Sequence, residues 1–400
     1  MSLSNRRPPV WLLVAATATG PLALNLFVPS MPGLVALFDT DHATVQLTLS
    51  LYLIGVAVGQ LVYGPLSDRF GRRPVLLAGV ALYLGASAAC ALAPGIGALI
   101  VGRVVQAVGG CAGMVIGRAI VRDAWDRDQA TRVLAAVIAG MAVAPMVGPV
   151  IGGFLEEWAG WRAGFILIAA FGALVLAAGL KALPETHNDP TPLPGPMALV
   201  QAYRGLLAKP QFLGYALLST LSTASFFAFL AGAPYATVQM LGRSPSEYGL
   251  LFVLLSVGYM AGNILVSRLI GRVTAERLML VGMALSLAGP LVTLALLPAG
   301  IFSVWSLYLP ATIMCLGNGL VMPTSMTAAV SAEPRLAGTA SGLLGFFQMG
   351  LGAVVSTGVG ALRAGEPYTM AIGMVVANVA AFAAFAYARR RPPGDLRDGA

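Results

Sequence analysis

Charge is scarce in this chain. Of its 400 residues only 10% are Asp, Glu, Lys or Arg, while 58% are hydrophobic. A water-soluble domain carries about 25% charged residues, so the chain lacks the material for a surface that faces water. Lysine is almost missing: Lys181 and Lys209 are the only two, and neither follows a glycine. No G-x-x-x-x-G-K-[ST] phosphate loop can therefore be drawn, which excludes a built-in ATP motor. No H-E-x-x-H or G-x-S-x-G run occurs, and the two histidines, His42 and His187, fall outside the apolar stretches. A nucleophile–base pair or a metal cluster inside those stretches is thus excluded, and the chain reads as no enzyme, with no cofactor and no metal. The three cysteines, Cys90, Cys111 and Cys315, sit in apolar stretches at unrelated spacings and imply neither a disulfide framework nor a CxxC site.

What the chain does have is long apolar runs. A helix needs about 20 apolar residues to cross a bilayer core, and twelve such runs are predicted: 10–37, 44–66, 74–93, 97–120, 131–154, 162–183, 212–238, 246–268, 277–297, 302–324, 337–360 and 367–388. The basic residues fall in alternate gaps. On one side lie Arg6, Arg7, Arg69, Arg72, Arg73, Arg118, Arg122, Arg127, Arg132, Lys181, Arg204, Lys209, Arg268, Arg272, Arg277, Arg335, Arg389, Arg390, Arg391 and Arg397. The intervening gaps hold only Arg162, Arg243 and Arg363, with acids such as Asp39, Asp41, Glu156 and Glu157. Positive charge is kept on the cytoplasmic side, so the pattern predicts a multi-pass membrane protein with both ends in the cytoplasm. His42 and His187 then lie on opposite sides and cannot share a metal. The net charge of +8 is spread over alternate loops rather than gathered on one face, which excludes a nucleic-acid partner. The first run is longer than a signal-peptide core and lacks an A-x-A-like cleavage site, so it is expected to stay as an uncleaved helix.

Residues 184–211 interrupt the rhythm. Pro184, Pro190, Pro192, Pro194 and Pro196 mark a cytoplasmic linker. Within it, Met197 to Ala208 fits a short surface helix with Arg204 and Lys209 toward lipid headgroups. The linker separates residues 1–183 from 212–400, two sets of six spans, the second ending in a cytoplasmic tail. The sets are faint copies: Gly59 and Gly258, Leu66 and Leu265, Arg69 and Arg268, and Arg73 and Arg272 correspond at one constant offset. Parallel repeats of this kind, with a site between them, are the mark of a rocking transporter.

Three motifs stand out. Gly64-Pro65-Leu66-Ser67-Asp68-Arg69-Phe70-Gly71-Arg72-Arg73-Pro74 follows the second span. Gly64 and Gly71 suit tight backbone there, and Asp68 suits a helix N-terminus or a neighbouring arginine, as a latch would. Arg103 lies inside the fourth span with Gln106 one turn on. A central arginine costs about 2.5–3.5 kcal/mol on insertion scales, so it is a functional candidate by default. Gly140, Ala144, Gly148 and Gly152 recur every fourth residue along the fifth span, with Pro149 and Gly153 beside them. Such a stripe lets two backbones approach closely.

The first of these resembles motif A of the major facilitator superfamily, Arg103 to Gly109 resembles motif B, and Gly140 to Gly153 resembles motif C, the antiporter motif. Val45 to Ser50, Arg118 to Asp123 and Ala337 to Ser341 resemble the bicyclomycin/chloramphenicol-resistance (Bcr/CflA) branch of drug:proton antiporters. The resemblance implies an all-α membrane protein of twelve transmembrane helices in two pseudo-symmetric six-helix bundles. It implies efflux of chloramphenicol- or bicyclomycin-like neutral or amphipathic compounds by alternating access, in exchange for protons. It assigns coupling to Arg103, and gating to Gly64, Asp68, Arg69, Gly71, Arg72, Arg73, Arg118, Arg122 and Asp123. It makes the motif C stripe a seal between the fifth and eighth helices on the outer side.

One position departs from the branch. Asn25, in Leu24-Asn25-Leu26-Phe27-Val28-Pro29, stands where the branch usually carries an acid. None of the 16 acidic residues falls deep in a predicted span. Asn titrates nothing, so efflux without proton coupling stays open, as does export of one sugar- or amino-acid-derived metabolite. A cavity lined by apolar residues with a few polar groups is expected to draw on Asn25, Tyr52, Gln106, Met114, Met141, Phe226, Phe229, Tyr235, Asn318, Phe346 and Gln348. For any single Met or Phe, helix packing or lipid contact is the commoner role. The expected partners are a small-molecule drug or metabolite, protons and the lipid bilayer, with the chain acting as a monomer.

Overall fold

The computed structural model describes residues 7–187, 195–362 and 366–389. Arg6, Arg363, the prolines at 190, 192 and 194, and the tail beyond Arg389 lie outside them. The described residues are helical almost throughout: α1 (Val10–Phe27), α2 (Met31–Leu37), α3 (His42–Phe70), α4 (Arg72–Ala91), α5 (Ile96–Ala124), α6 (Arg127–Ala159), α7 (Trp161–Ala182), α8 (Pro196–Leu207), α9 (Pro210–Tyr235), α10 (Pro245–Leu269), α11 (Ala275–Leu296), α12 (Val304–Ser331), α13 (Ala337–Ala361) and α14 (Pro367–Arg389). Among the described residues twelve spans are long and apolar enough to cross a membrane. The first of them joins α1 to α2 through a 3-10 turn at Val28–Ser30, where Pro29 interrupts the backbone donors. Large apolar side chains point outward, among them Leu174 at 71% exposure and Val101 at 64%, a distribution that suits lipid and not water.

Local chemistry sets the helix ends. Asp41 caps α3 by accepting from the Thr44 amide at 2.6 Å, and that bond holds its carboxyl below the ordinary carboxylate range. Asp126 caps α6 through the Gln129 amide at 3.1 Å. Ser303 and Ser306 form a reciprocal capping box on α12. Gly71 alone separates α3 from α4 and adopts φ 93°, a left-handed conformation that a side chain would strain.

The chain divides into two compact units, Met1–Pro194 with Pro234–Val253, and Gly195–Ala233 with Leu254–Ala400. In the first, α5 packs on α1, α3 and α4, while α6 packs along α1. In the second, α11 lies along α12 and against α14. A cluster of Leu218, Met279, Met283, Val321, Ala381 and Phe385 fills that core. The expected surface helix is present as α8, with Leu206 wholly buried against Phe212, Ala340, Leu343 and Leu344. Lys209, expected to face lipid headgroups, is instead ion-paired with Glu333. The copied loop of the second unit also turns on a left-handed glycine, Gly271 at φ 87°. It lies one residue beyond the offset that relates the arginines.

Candidate functional site

Arg103 is the centre of the first unit. It projects from the second turn of α5 and is 0% exposed. Its Nη1 donates to the Ala23 carbonyl at 3.0 Å and to Gln106 Oε1 at 2.7 Å. Three rings surround the guanidinium, Tyr52 at 4.1 Å, Phe27 at 4.6 Å and Phe165 at 5.9 Å from their centroids. A desolvated cation–π contact is worth about 2 kcal/mol and a charge-assisted hydrogen bond about 1.5–3 kcal/mol. Together they offset an insertion cost of about 2.5–3.5 kcal/mol, so the charge is held without a carboxylate. Gln106 passes the network on, its Nε2 donating to Ser87 Oγ at 2.8 Å, and Ser87 donates to the Tyr83 carbonyl at 2.6 Å. Tyr52 and Tyr83 donate their hydroxyls to the Gly20 and Thr19 carbonyls, which fixes the rings against α1. Nε and Nη2 of Arg103 are buried with no hydrogen-bond partner. Asn25 is 3% exposed; its Nδ2 donates to the Pro21 carbonyl at 2.8 Å, and its Oδ1 is buried without a partner.

The second unit has a polar core of another kind. Ser219, Ser222 and Ser225 recur every third residue on α9 and are all buried. Each meets an amide from another helix. Gln348 donates to Ser219 Oγ at 2.6 Å, Asn318 to the Ser222 carbonyl at 3.3 Å, and Asn378 to Ser225 Oγ at 2.7 Å. Ser286 donates to Asn318 Oδ1 at 3.0 Å. These bonds join neutral groups only.

At the Gly71 end the first unit carries a knot of charge. Arg72 pairs with Asp68 one turn back on α3, reaches Asp123 Oδ2 on α5 at 2.9 Å through Nε, and Ser67 Oγ at 2.6 Å through Nη1. Glu185, just past α7, lies over the start of α4. It accepts from the amides of Arg72 at 2.9 Å and Arg73 at 3.1 Å, and from Thr186 and His187. A carboxylate at a helix N-terminus meets free amides and the positive end of the macrodipole. Two close approaches run along α6 toward the opposite end. Gly140, Gly148 and Gly152 face α1, against Val14, Asn25 and Leu26. Gly153 faces α10, where a Cβ would collide with the Pro245 carbonyl, and Gly249 of α10 stands likewise over the Pro149 carbonyl. Glu157 Oε1 accepts from the Ser246 amide at 2.9 Å and fastens the same two helices.

The family model described as Major Facilitator Superfamily matches residues 13–357, and again 220–398. The chain belongs to this superfamily. Its relatives include a bicyclomycin resistance protein homolog of Haemophilus influenzae, 29% identical over 86% of both chains. Another is multidrug resistance protein D of Escherichia coli, 30% identical over 86% of both chains. These bear out the resemblance to the bicyclomycin/chloramphenicol-resistance branch. A solved D-xylose–proton symporter shares the fold, with TM-score 0.75 over 96% of this chain and 99% of its own at 14% identity. The protein is a twelve-span, all-α transporter and not an enzyme.

Within this major facilitator fold the expected site residues separate into groups. Arg103, Gln106 and Tyr52 come together, and Asn25 lies two residues from the carbonyl that Arg103 holds. Asn318 and Gln348 belong to the neutral network of the second unit. Phe229 is buried edge-on to Tyr308 at 5.7 Å, and Phe346 packs beside Phe347 on the α8 cluster. Phe226 stands against Phe227 at 5.8 Å, and Tyr235 against His42 at 4.9 Å. Met114 and Met141 are half-buried.

Motif A differs from its expected form. All of it up to Phe70 continues α3, and only Gly71 is loop. Gly64 is helical and has open space where a Cβ would stand, so it grants no close approach. Arg69 and Arg122 are exposed, and Arg118 donates to the Met114 carbonyl of its own helix α5 at 2.8 Å. The motif C stripe, expected to face the eighth helix, lies against the first; Gly153 and Pro149 make the other contact. Sequence reasoning missed Glu185, whose only signal was an acid right after a helix end and a proline. It also missed Phe27, Phe165 and Ser87, which look like ordinary span residues.

Proposed function

We propose that the protein exports amphipathic or neutral antibiotic-like compounds, of the chloramphenicol or bicyclomycin type, out of a bacterial cell. It does so across the inner membrane by alternating access of the bundles 1–183 and 212–400, with both termini and the 184–211 linker cytoplasmic. The observation that carries this reading is the approach of Gly153 and Pro149 on α6 to Pro245 and Gly249 on α10, with carbonyl oxygens where side chains would stand. Two helices that meet backbone to backbone make a seal that opens only as a unit. Asp68, Arg72, Asp123 and Glu185 make the counterpart latch on the motif A side. The drug-resistance names of the relatives support the same direction of transport. In the first unit Asn25, Tyr52 and Gln106 gather about Arg103 and Met114 lies along the same helix, which offers amide, aromatic and thioether groups suited to varied ligands.

Proton exchange, with Arg103 as the coupling group, is what the branch resemblance implies. A second reading, efflux without proton exchange, is favoured by Asn25, an untitratable amide that bonds back to its own helix. Expression in a pump-deficient host is expected to lower susceptibility to chloramphenicol. Unchanged susceptibility to every antibiotic in a panel, with a specific metabolite exported instead, would turn the reading to metabolite export. Drug movement in inverted vesicles that leaves the pH gradient undisturbed selects the second coupling.

A further inference from the structure

The charge inside the first unit leads to a substrate class. Of the three arginines of α5, Arg122 is exposed in the last turn, and Arg103 and Arg118 lie deeper in the spanning length. At 100° and 1.5 Å per residue they stand about 60° apart around the helix and about 22 Å apart along it. They therefore share one side, with Met114 between them. Arg103 is enclosed by rings and retains two donors without partners. Arg118 is half-buried and bonds only a carbonyl of its own helix. Among the described residues neither has a carboxylate at ion-pair distance, whereas Arg72 has two.

Most of the described acids of the unit are engaged elsewhere. Asp68 and Asp123 hold Arg72, Glu185 holds the start of α4, and Glu157 holds Ser246. Glu156, half-buried at the last turn of α6, bonds Ser30 and sits beside Gly33, at the far end of the bundle from Arg118. The side of α5 that carries Met114 is thus a stripe of uncompensated positive charge in a medium that screens poorly. Such a field repels a cation and draws an anion, with an effect that grows as water is excluded.

We propose that, among amphipathic compounds, this transporter prefers those that carry one negative charge, as an organic carboxylate or sulfonate, and that this charge supplies the counter-ion that position 25 does not. The inference rests on the export reading above. It also names a driving force without protons. An anion leaving a cell that is about 100 mV negative inside is favoured about 50-fold at equilibrium.

The test uses the full chain in liposomes, with a potassium diffusion potential and no pH gradient. The probes are pyrene-1-sulfonate, ethidium and chloramphenicol. The sulfonate is expected to move about 10-fold faster than ethidium and to accumulate on the positive side. Asn25→Asp, which places a carboxylate in the same bundle with almost the same volume, is expected to reverse that order. Arg103→Gln is expected to abolish the preference. Ethidium moving as fast as the sulfonate in the wild type overturns the inference, as does an order that Asn25→Asp leaves in place. Chloramphenicol moving while the sulfonate does not removes the anion and leaves export standing. No probe moving faster than through empty liposomes removes both.

Discussion

The two units bury polar groups in opposite ways. The first places a whole guanidinium among Phe27, Tyr52 and Phe165 and gives it one carbonyl and one amide. The second pairs three serines of α9 with three amides and buries no charge in that network. A neutral pair satisfies itself locally and adds about 0.5–1.5 kcal/mol per bond. A lone charge is never satisfied locally, because its field reaches whatever enters the bundle. On the anion proposal the first unit is the one that senses charge, while the second keeps its polar groups paired among themselves.

The largest effect should come from deleting that charge. Arg103→Ala leaves the Gln106 amide and the Ala23 carbonyl without their donor and opens a void between three rings. Transport in liposomes is expected to fall at least about 100-fold, since removal of one partner from a buried charged contact costs about 3–5 kcal/mol. Asn318→Ala is the matching change in the second unit. It strands Ser286 and the Ser222 carbonyl and should cost about 1–3 kcal/mol of stability, with transport reduced only a few-fold. Equal losses in both variants would erase the contrast between the two cores.

Next comes the close approach at the end of α6. Gly153→Leu drives a side chain into the Pro245 carbonyl and is expected to abolish transport while the protein still reaches the membrane. Gly350→Leu on α13 has open space at its Cβ and should leave transport near wild type.

Much of this was legible in the chain itself, and the boundary of what was legible is physical. Hydropathy and the alternation of arginines give twelve spans because lipid forces every backbone group into a helix. Arg103 declares itself, since an arginine inside an apolar run has few reasons to be there. Its ring partners do not declare themselves. Phe27, Tyr52 and Phe165 lie on three different helices, and no spacing in sequence links them. The end of α3 was also hidden. A run of Ser67, Asp68 and Arg69 reads as loop by composition, yet the helix simply continues past the apolar stretch until Gly71 turns it. Motif C shows the third limit: a small-residue stripe says that something packs closely, without saying which neighbour.

The start of α4 and the start of α11 offer a smaller comparison, since both follow a left-handed glycine in copied loops. The α4 terminus is served from a distance by Glu185, whose two oxygens take the amides of Arg72 and Arg73. The α11 terminus is served locally by Thr274, which accepts from the Arg277 amide at 3.4 Å. Glu185→Ala frees the two α4 amides together with those of Thr186 and His187 and removes a charge from a helix N-terminus, so it is expected to lower thermal stability by about 2 kcal/mol. Thr274→Ala is expected to cost about 1 kcal/mol. Glu185→Gln separates the parts of the first effect, because the amide keeps an acceptor but loses the charge, and should fall between the two in the same melting assay.

The smallest effect belongs to the ion pair that ties the linker side of the second unit to its core. Lys209 and Glu333 are joined, but the lysine side chain is 46% exposed and the glutamate 23%. Water and salt screen such a pair, and holding a long lysine in place costs entropy, so its worth is about 0.2–1 kcal/mol. Lys209→Ala should therefore shift the melting temperature by little and lose even that shift in high salt. The anchoring of α8 lies instead in Leu206, wholly buried among Phe212, Leu343 and Leu344. Leu206→Ala is expected to cost about 2–5 kcal/mol at any ionic strength. A salt-sensitive Lys209→Ala with a larger loss than Leu206→Ala would mean that charge, and not the apolar face, holds the surface helix to the second unit.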